Sequence, residues 1–213
     1  MTNVAHLPIT DDALRLLGFL PVAIITTVGK DGSINAAPFS WVTIVSYDPP
    51  QVLFSTNIKR DTYKNIIGTR EFVINIPSVD LLRAIWITQK HFPYGVNELK
   101  EANLTSFSAE KVKPPRIKEC KAHIECKVLW TRKIGPTCLV LGSIEAISVA
   151  EDLEKLSMKE QAIALNRPIF FSYQKEGSIR KWMFAEIGKI HILTEKDGKI
   201  EIKSETCSMK FSV

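Results

Sequence analysis

The sequence predicts a mainly β protein with accessory helices, built as an antiparallel barrel. Three observations predict it. Short apolar runs rich in Val, Ile and Thr recur along the chain, which suits half-buried or buried strands. Tight turns built on Asp-Gly or Gly-Pro separate neighbouring runs, so consecutive strands pair antiparallel. Helical stretches fall only in the connections. A βαβ fold would alternate the two throughout.

The elements follow in order. Ile9 to Leu17 reads as a short helix, with Thr10 as N-cap, Asp11 and Asp12 at its positive start and Gly18 at its end. Val22 to Val28 is a buried strand by its β-branched content. Lys30 to Ser33 is a hairpin turn, since Asp31-Gly32 tolerates positive φ. Ile34 to Ala37 begins the return strand. Pro38 has no N–H to donate, so a break or bulge is expected there. Ser40 to Ser46 resumes the strand, with Trp41, Thr43 and Val45 on one face and Val42 and Ile44 on the other. Asp48-Pro49-Pro50 forces a turn, and Gln51 to Ser55 is the next strand. Thr56 to Arg60 reads as a polar loop, Asp61 to Ile67 as a helix stopped by Gly68, and Glu71 to Ile76 as a strand.

Val79 to Ile87 reads as an amphipathic helix, and residues 88–118 as a loop-rich stretch with Pro93, Gly95 and Pro114-Pro115. Two long strands follow, about Lys121 to Arg132 and Thr137 to Val149, joined at Gly135-Pro136. In the first, Ala122, Ile124, Cys126, Val128 and Trp130 alternate with His123, Glu125, Lys127 and Leu129. Leu153 to Leu165 reads as a helix. Strands return at Ile169 to Tyr173, Lys189 to Leu193 and Lys199 to Lys203, the last two across Asp197-Gly198. The total is roughly eight or nine strands. No repeat, low-complexity tract or linker divides the chain, so one domain over residues 1–213 is expected.

Composition narrows the function classes. Hydrophobic residues make up 45% of the 213 and charged residues 24%, ordinary for a soluble protein. The net charge is +5. The densest basic stretch, Lys111 to Lys127, is broken by Glu119 and Glu125, unlike the stripe of a nucleic-acid binder. The excess suits attraction of small anions such as phosphates. No apolar run is long enough to span a bilayer, and residues 1–18 lack the apolar core of a signal peptide. A cytoplasmic protein, off the membrane, is expected. Cys120, Cys126, Cys138 and Cys207 form no C-x-x-C pair and read as small buried hydrophobes. His6, His91, His123 and His191 show no metal spacing or triad and read as surface or core histidines. No metal site is expected. No G-x-G-x-x-G occurs, so no Rossmann nucleotide site is expected.

Two stretches carry chemistry. Ser55, Thr56 and Asn57 gather small polar side chains at the end of an apolar strand. Lys59 and Arg60 follow, and a helix starts at Asp61-Thr62. A helix start offers free N–H groups and a positive dipole end, and Arg can grip a phosphate bidentately. Asp61 reads as an N-cap, because a carboxylate repels phosphate. The same residues also fit plain capping and turning. In the second stretch, Ala36 and Ala37 let backbone approach a flat ligand. Pro38 leaves backbone groups of a neighbouring strand free to meet the polar edge of such a ligand, and Trp41 offers an aromatic face. A strand with a proline bulge fits them equally.

Taken together, the motifs resemble the flavin-reductase-like family with its FMN-binding split-barrel fold. They run Thr26-Thr27, Asp31-Gly32, Asn35-Ala36-Ala37-Pro38-Phe39-Ser40, Asp48-Pro49-Pro50, Asp61-Thr62-Tyr63-Lys64-Asn65-Ile66 and Glu71-Phe72-Val73-Ile74-Asn75. A second block holds Phe92-Pro93-Tyr94-Gly95-Val96, Asn103-Leu104, Pro114-Pro115-Arg116-Ile117 and Glu125-Cys126-Lys127-Val128. The resemblance is strongest over residues 15–150, leaving 151–213 as an accessory part. It implies an antiparallel split barrel and a homodimer with one FMN at each interface. Ala36, Ala37, Pro38 and Ser40 would lie along the ring's polar edge. Ser55, Thr56, Asn57, Arg60 and Thr62 would surround the phosphate. Asn35, Trp41 and Lys90 match positions near the flavin. Relatives often carry His where Thr137 and Cys138 stand. Phe170, Phe171, Tyr173 and Trp182 are candidates for a ligand-facing wall, with core packing as their other reading.

The function implied is redox chemistry through FMN with no side-chain catalyst assigned. It would be an NAD(P)H-dependent flavin reductase or a flavoredoxin-like electron carrier that meets a redox protein partner. The alternative is a flavin-binding module without turnover.

Overall fold

The computed structural model describes residue 17 and residues 20–176, 179–186, 188–196 and 199–206. Most of the expected Ile9 to Leu17 helix, the Asp197-Gly198 turn, His6 and Cys207 lie outside the described residues, as do the side chains of Phe171, Tyr173, Trp182 and His191.

The first half runs β1 (Leu20–Pro21), β2 (Ala23–Val28), β3 (Ile34–Phe39), β4 (Val42–Tyr47), β5 (Pro50–Asn57), α1 (Asp61–Thr69) and β6 (Glu71–Ile76). A 3-10 turn (Val79–Leu81) leads into α2 (Leu82–Thr88), then α3 (Glu98–Glu101), β7 (Ser106–Phe107) and β8 (Arg116–Ile117). The long strands are β9 (Ala122–Ile134) and β10 (Thr137–Val149). The chain continues through α4 (Glu151–Glu154), α5 (Met158–Leu165), β11 (Ile169–Glu176), β12 (Ile179–Ala185), β13 (Lys189–Lys196) and β14 (Lys199–Thr206).

Seven strands form one sheet in the order β3-β2-β6-β9-β10-β5-β4, every neighbour antiparallel. β3 and β4 are its two edges, so the barrel is split between them. Inside it Ala23, Ile25, Val52, Phe54, Phe72, Ile74 and Val140 form the main core. Phe54 and Phe72 pack with their rings tilted and their centroids 5.1 Å apart. Phe72 also fills the space a side chain would need at Gly142, where a Cβ would come within 2.7 Å of its ring. The other face of β2, with Val22 and Ile24, packs on Ala84, Ile85 and Leu99 from α2 and α3. β2 is therefore buried on both faces, as its unbroken apolar run requires. Phe170 and Phe184, on the small β1-β11-β12 sheet, lie against this second core.

Several expectations change. β3 passes through Pro38 in register, with Ile24 opposite Pro38 and no bulge. β3 is an edge strand, where a missing N–H breaks no ladder. Ala36, two residues back on the same outward side, meets its donor need elsewhere: its N–H donates to Glu98 Oε2 at 2.9 Å. Thr56 and Asn57 belong to β5 rather than to a loop, opposite Cys138 and Thr137 of β10. α1 runs past Gly68 to Thr69 and ends on Arg70 in the left-handed region, φ 61°. The expected helix from Leu153 is two helices, because Ser157 and Glu160 form a capping box that starts α5 afresh. β12 was not expected as a strand.

The alternation on β9 also fails at one end. His123 and Glu125 are buried along with the apolar face, because the loop-rich segment packs over them. Glu125 accepts the N–H groups of Glu110 and Lys111, and His123 Nε2 donates to the Ile117 carbonyl at 2.8 Å. On β4 a register shift between Ile44 and Ser46 breaks the two-faced pattern. Ile44, Val45 and Tyr47 are all exposed, with Trp41 beside them.

Candidate functional site

The start of α1 is built by the residues before it. Asn57 Oδ1 accepts the Lys59 N–H at 2.9 Å, and the Asn57 carbonyl accepts the Arg60 N–H at 3.0 Å. These bonds turn the chain out of β5. Arg60, not Asp61, is the N-cap residue, with extended backbone and no side-chain cap. Asp61 is the first helical residue and pairs with Lys64 at 3.2 Å. The helix thus begins without the side-chain acceptor that usually satisfies its first N–H groups, and its positive end stays available to an anion.

Behind it lies a buried polar network. Asn35 Nδ2 on β3 donates to Thr27 Oγ1 at 3.2 Å and to Thr62 Oγ1 at 3.0 Å. Asn65 Nδ2 on α1 donates to the same Thr27 oxygen at 3.1 Å. Thr62 accepts from Asn35, so its own O–H is left to donate. On β5, Thr56 Oγ1 is buried with no hydrogen-bond partner. An unpartnered buried hydroxyl costs about 1–3 kcal/mol, so its presence beside an uncapped helix start fits a site that a polar ligand completes.

These groups share a cleft of about 290 Å³. β3 supplies Asn35, Ala37 and Pro38. Ser55, Thr56, Asn57 and Arg60 come from β5 and the turn, Thr62 from α1, and Lys90 from the segment after α2. Three expected residues stand apart from it. Ala36 is buried on the other face of β3, in the second core. Ser40 and Trp41 line an adjoining apolar groove with Val42, Leu53 and Leu139. Ser40 also borders a smaller notch with Phe170 and Phe184.

The cleft holds residues the sequence reading did not single out as site residues: Asp61, Thr88, Gln89, His91, Phe92 and Glu98. Arg60 Nη1 donates to His91 Nδ1 at 3.3 Å, which places this exposed histidine at the cationic wall. Glu98 is buried, and burial pushes its carboxyl above the usual carboxylate range. The turn at Pro136 is braced on the site, since Ile58 N–H donates to the Pro136 carbonyl at 3.0 Å. Cys120, Cys126 and Cys138 are free and buried, and burial raises each thiol. Among the described residues no group of His, Cys, Asp or Glu could hold a metal ion, and no helix is long and apolar enough to cross a membrane.

The chain is a split antiparallel barrel with a polar cleft against one edge strand. The comparisons give the family. Residues 19–164 match the flavin reductase like domain, and the chain belongs to that family of flavin-related oxidoreductases. An uncharacterised protein of Aquifex aeolicus (strain VF5) is 41% identical over 138 residues, covering 62% of this chain and 70% of that protein. A flavin reductase (NADH) of Kitasatospora aureofaciens is 28% identical over 139 residues, covering 64% and 70%. Among solved structures, nitrilotriacetate monooxygenase component B from Bacillus cereus superposes with a TM-score of 0.70 at 28% identity, over 85% of this chain and 97% of that one. A split-barrel structure from Shewanella frigidimarina NCIMB 400 superposes with a TM-score of 0.67 at 16% identity, over 82% and 89%, and shares the fold.

Proposed function

We propose that this chain binds FMN in the cleft and acts as a flavin reductase-like oxidoreductase drawing electrons from NADH or NADPH. The observation that carries the reading is the convergence of three phosphate-seeking features. They are the uncapped start of α1, the Thr62 hydroxyl held by Asn35, and the unpartnered Thr56 hydroxyl. Arg60 adds a fixed positive charge at the same wall. The name of the Kitasatospora relative supports a nicotinamide donor. Bound FMN would supply hydride and electron acceptance, while the protein binds and orients it. We further infer that a second copy of the chain covers the exposed apolar strip of β4, giving a homodimer.

The purified protein is expected to be yellow, or to take up added FMN, and NADH or NADPH should bleach it. A protein that stays colourless with excess FMN would refute the reading. Bleaching only by a reduced protein donor would reassign it as an electron carrier. No bleaching by either would leave a binding module. Arg60→Ala and Thr62→Ala should each weaken FMN binding by about 1–3 kcal/mol, the range for a hydrogen bond to a charged group. Fluorescence quenching titrations measure this, and unchanged affinity in both variants would place the phosphate elsewhere.

A further inference from the structure

Glu98 is the one buried carboxyl in a cleft otherwise suited to anions. Three adjacent residues put it there. Asn97 caps α3, its Oδ1 accepting the Leu99 N–H at 3.0 Å, and Leu99 anchors that short helix in the second core. Glu98 between them is carried against β3, where Oε2 accepts the Ala36 N–H at 2.9 Å. It is only 7% exposed and still lines the cleft.

Its surroundings do not neutralise it. No ion pair to Glu98 occurs among the described residues, and its hydrogen bonds come from neutral backbone amides, those of Ala36 and of Glu98 itself. The charged groups nearby are few. From α1 and its cap come Asp61 and Arg60. Asp61 is already paired with Lys64, and Arg60 is turned to His91. Lys90 and His91 come from the segment after α2. Lys100 and Glu101 lie on α3 itself. β3 contributes no charge at Asn35, Ala36 or Ala37. Loss of water, helped by the negative field of Asp61, favours the protonated carboxyl and outweighs the two backbone amides that favour the ionised form. A ligand filling the cleft would remove more water and, if it carries a phosphate, add more negative charge.

We propose that Glu98 is a ligand-contacting residue that works as the neutral acid: when FMN fills the cleft, a proton is fixed on Glu98, and its O–H donates to the flavin nucleotide. This inference rests on the FMN reading and adds a residue and a proton to it. Neutral Glu98 presents a donor to a ligand rich in acceptors, while ionised Glu98 presents only acceptors and charge. Affinity therefore falls as pH rises past the free-state titration of Glu98, by up to about tenfold per pH unit.

Calorimetric titration of FMN into the full chain, in two buffers of different ionisation enthalpy, tests the proposal. Glu98→Gln keeps an acceptor for Ala36 N–H and mimics the neutral acid. Wild type is expected to take up more protons per FMN than Glu98→Gln. The variant's affinity advantage is expected to widen as pH rises. The titration of the FMN phosphate, at about pH 6, is common to both proteins and cancels in the difference. Equal proton uptake and a constant affinity ratio would overturn the inference and leave FMN binding intact. Failure of FMN to bind wild type at any pH would remove the FMN reading and this inference with it. Should the variant misfold, the infrared spectrum of wild type decides. FMN binding should bring a protonated-carboxyl stretch that moves with ¹³C-labelled glutamate, and its absence would overturn the proposal.

Discussion

Thr27→Val tests how far the site depends on the network behind it. Thr27 is fully buried on β2, and its Oγ1 accepts two amide N–H groups, from Asn35 at 3.2 Å and Asn65 at 3.1 Å. Valine keeps the branched shape and replaces the acceptor by a methyl group, so the loss is almost wholly in hydrogen bonding. Asn35 Nδ2 retains Thr62 at 3.0 Å and gives up one modest bond, about 1 kcal/mol. Asn65 Nδ2 has no other protein acceptor among the described residues, and it is buried, which adds about 1–3 kcal/mol for an orphaned donor. The expected destabilisation is about 2–4 kcal/mol. Urea unfolding of the ligand-free protein measures it, with the slope unchanged if only stability moves. Thr27→Ser restores the acceptor and should recover much of the loss. A destabilisation below about 1 kcal/mol, or serine no better than valine, would show that the network is not what fixes Asn35 and Asn65.

Two other predictions concern pH and assembly. Burial, helped by the Arg116 charge, holds His123 below the ordinary imidazole range despite its bond to Ile117. The unfolded chain then binds the proton more readily, so this stability is present above about pH 6.5 and is lost as pH falls below it. His123→Gln should flatten that part of the pH–stability curve, and an unaltered slope would absolve His123. For assembly, Ile44→Lys puts a charge in the exposed strip of β4 and should shift light scattering from dimer to monomer mass. A dimer that survives it at micromolar concentration would place the interface elsewhere.

Much of the barrel was legible because strand patterning is local. β10 has the bounds expected for a long strand that starts after the Gly135-Pro136 turn. The Asp31-Gly32 turn forms with Gly32 at φ 83° and the Asp31 carboxylate accepting Ser33 N–H. Pro38 was misread because its cost depends on whether the strand is central or at an edge, which only the sheet order settles. His123 and Glu125 looked solvent-facing because the segment that buries them is distant in sequence from the strand, as the Glu110 and Lys111 bonds show. One wall of the cleft was legible for the same local reason as the strands: the residues from Ser55 to Thr62 that line it come from one continuous stretch. The residues that the segment from Thr88 to Glu98 adds were not. His91 and Glu98 sit in a stretch with no periodicity, and nothing adjacent in sequence marks them as lining the same cleft as Asn35. The cap was misplaced by one residue, since Arg60 offers no capping side chain and Asp61 is a familiar one.

The cleft draws on β3, β5, α1 and the segment from Thr88 to Glu98, and its bracing bonds join residues 27 and 38 positions apart. None of these segments forms the cleft alone. A chain in which they have not yet come together offers no site, because the pocket exists only where these distant segments meet. A ligand arriving early has nothing to grip, so it cannot guide folding. It acts on the finished state by mass action, lengthening the lifetime of the native protein while leaving the speed of its formation almost untouched.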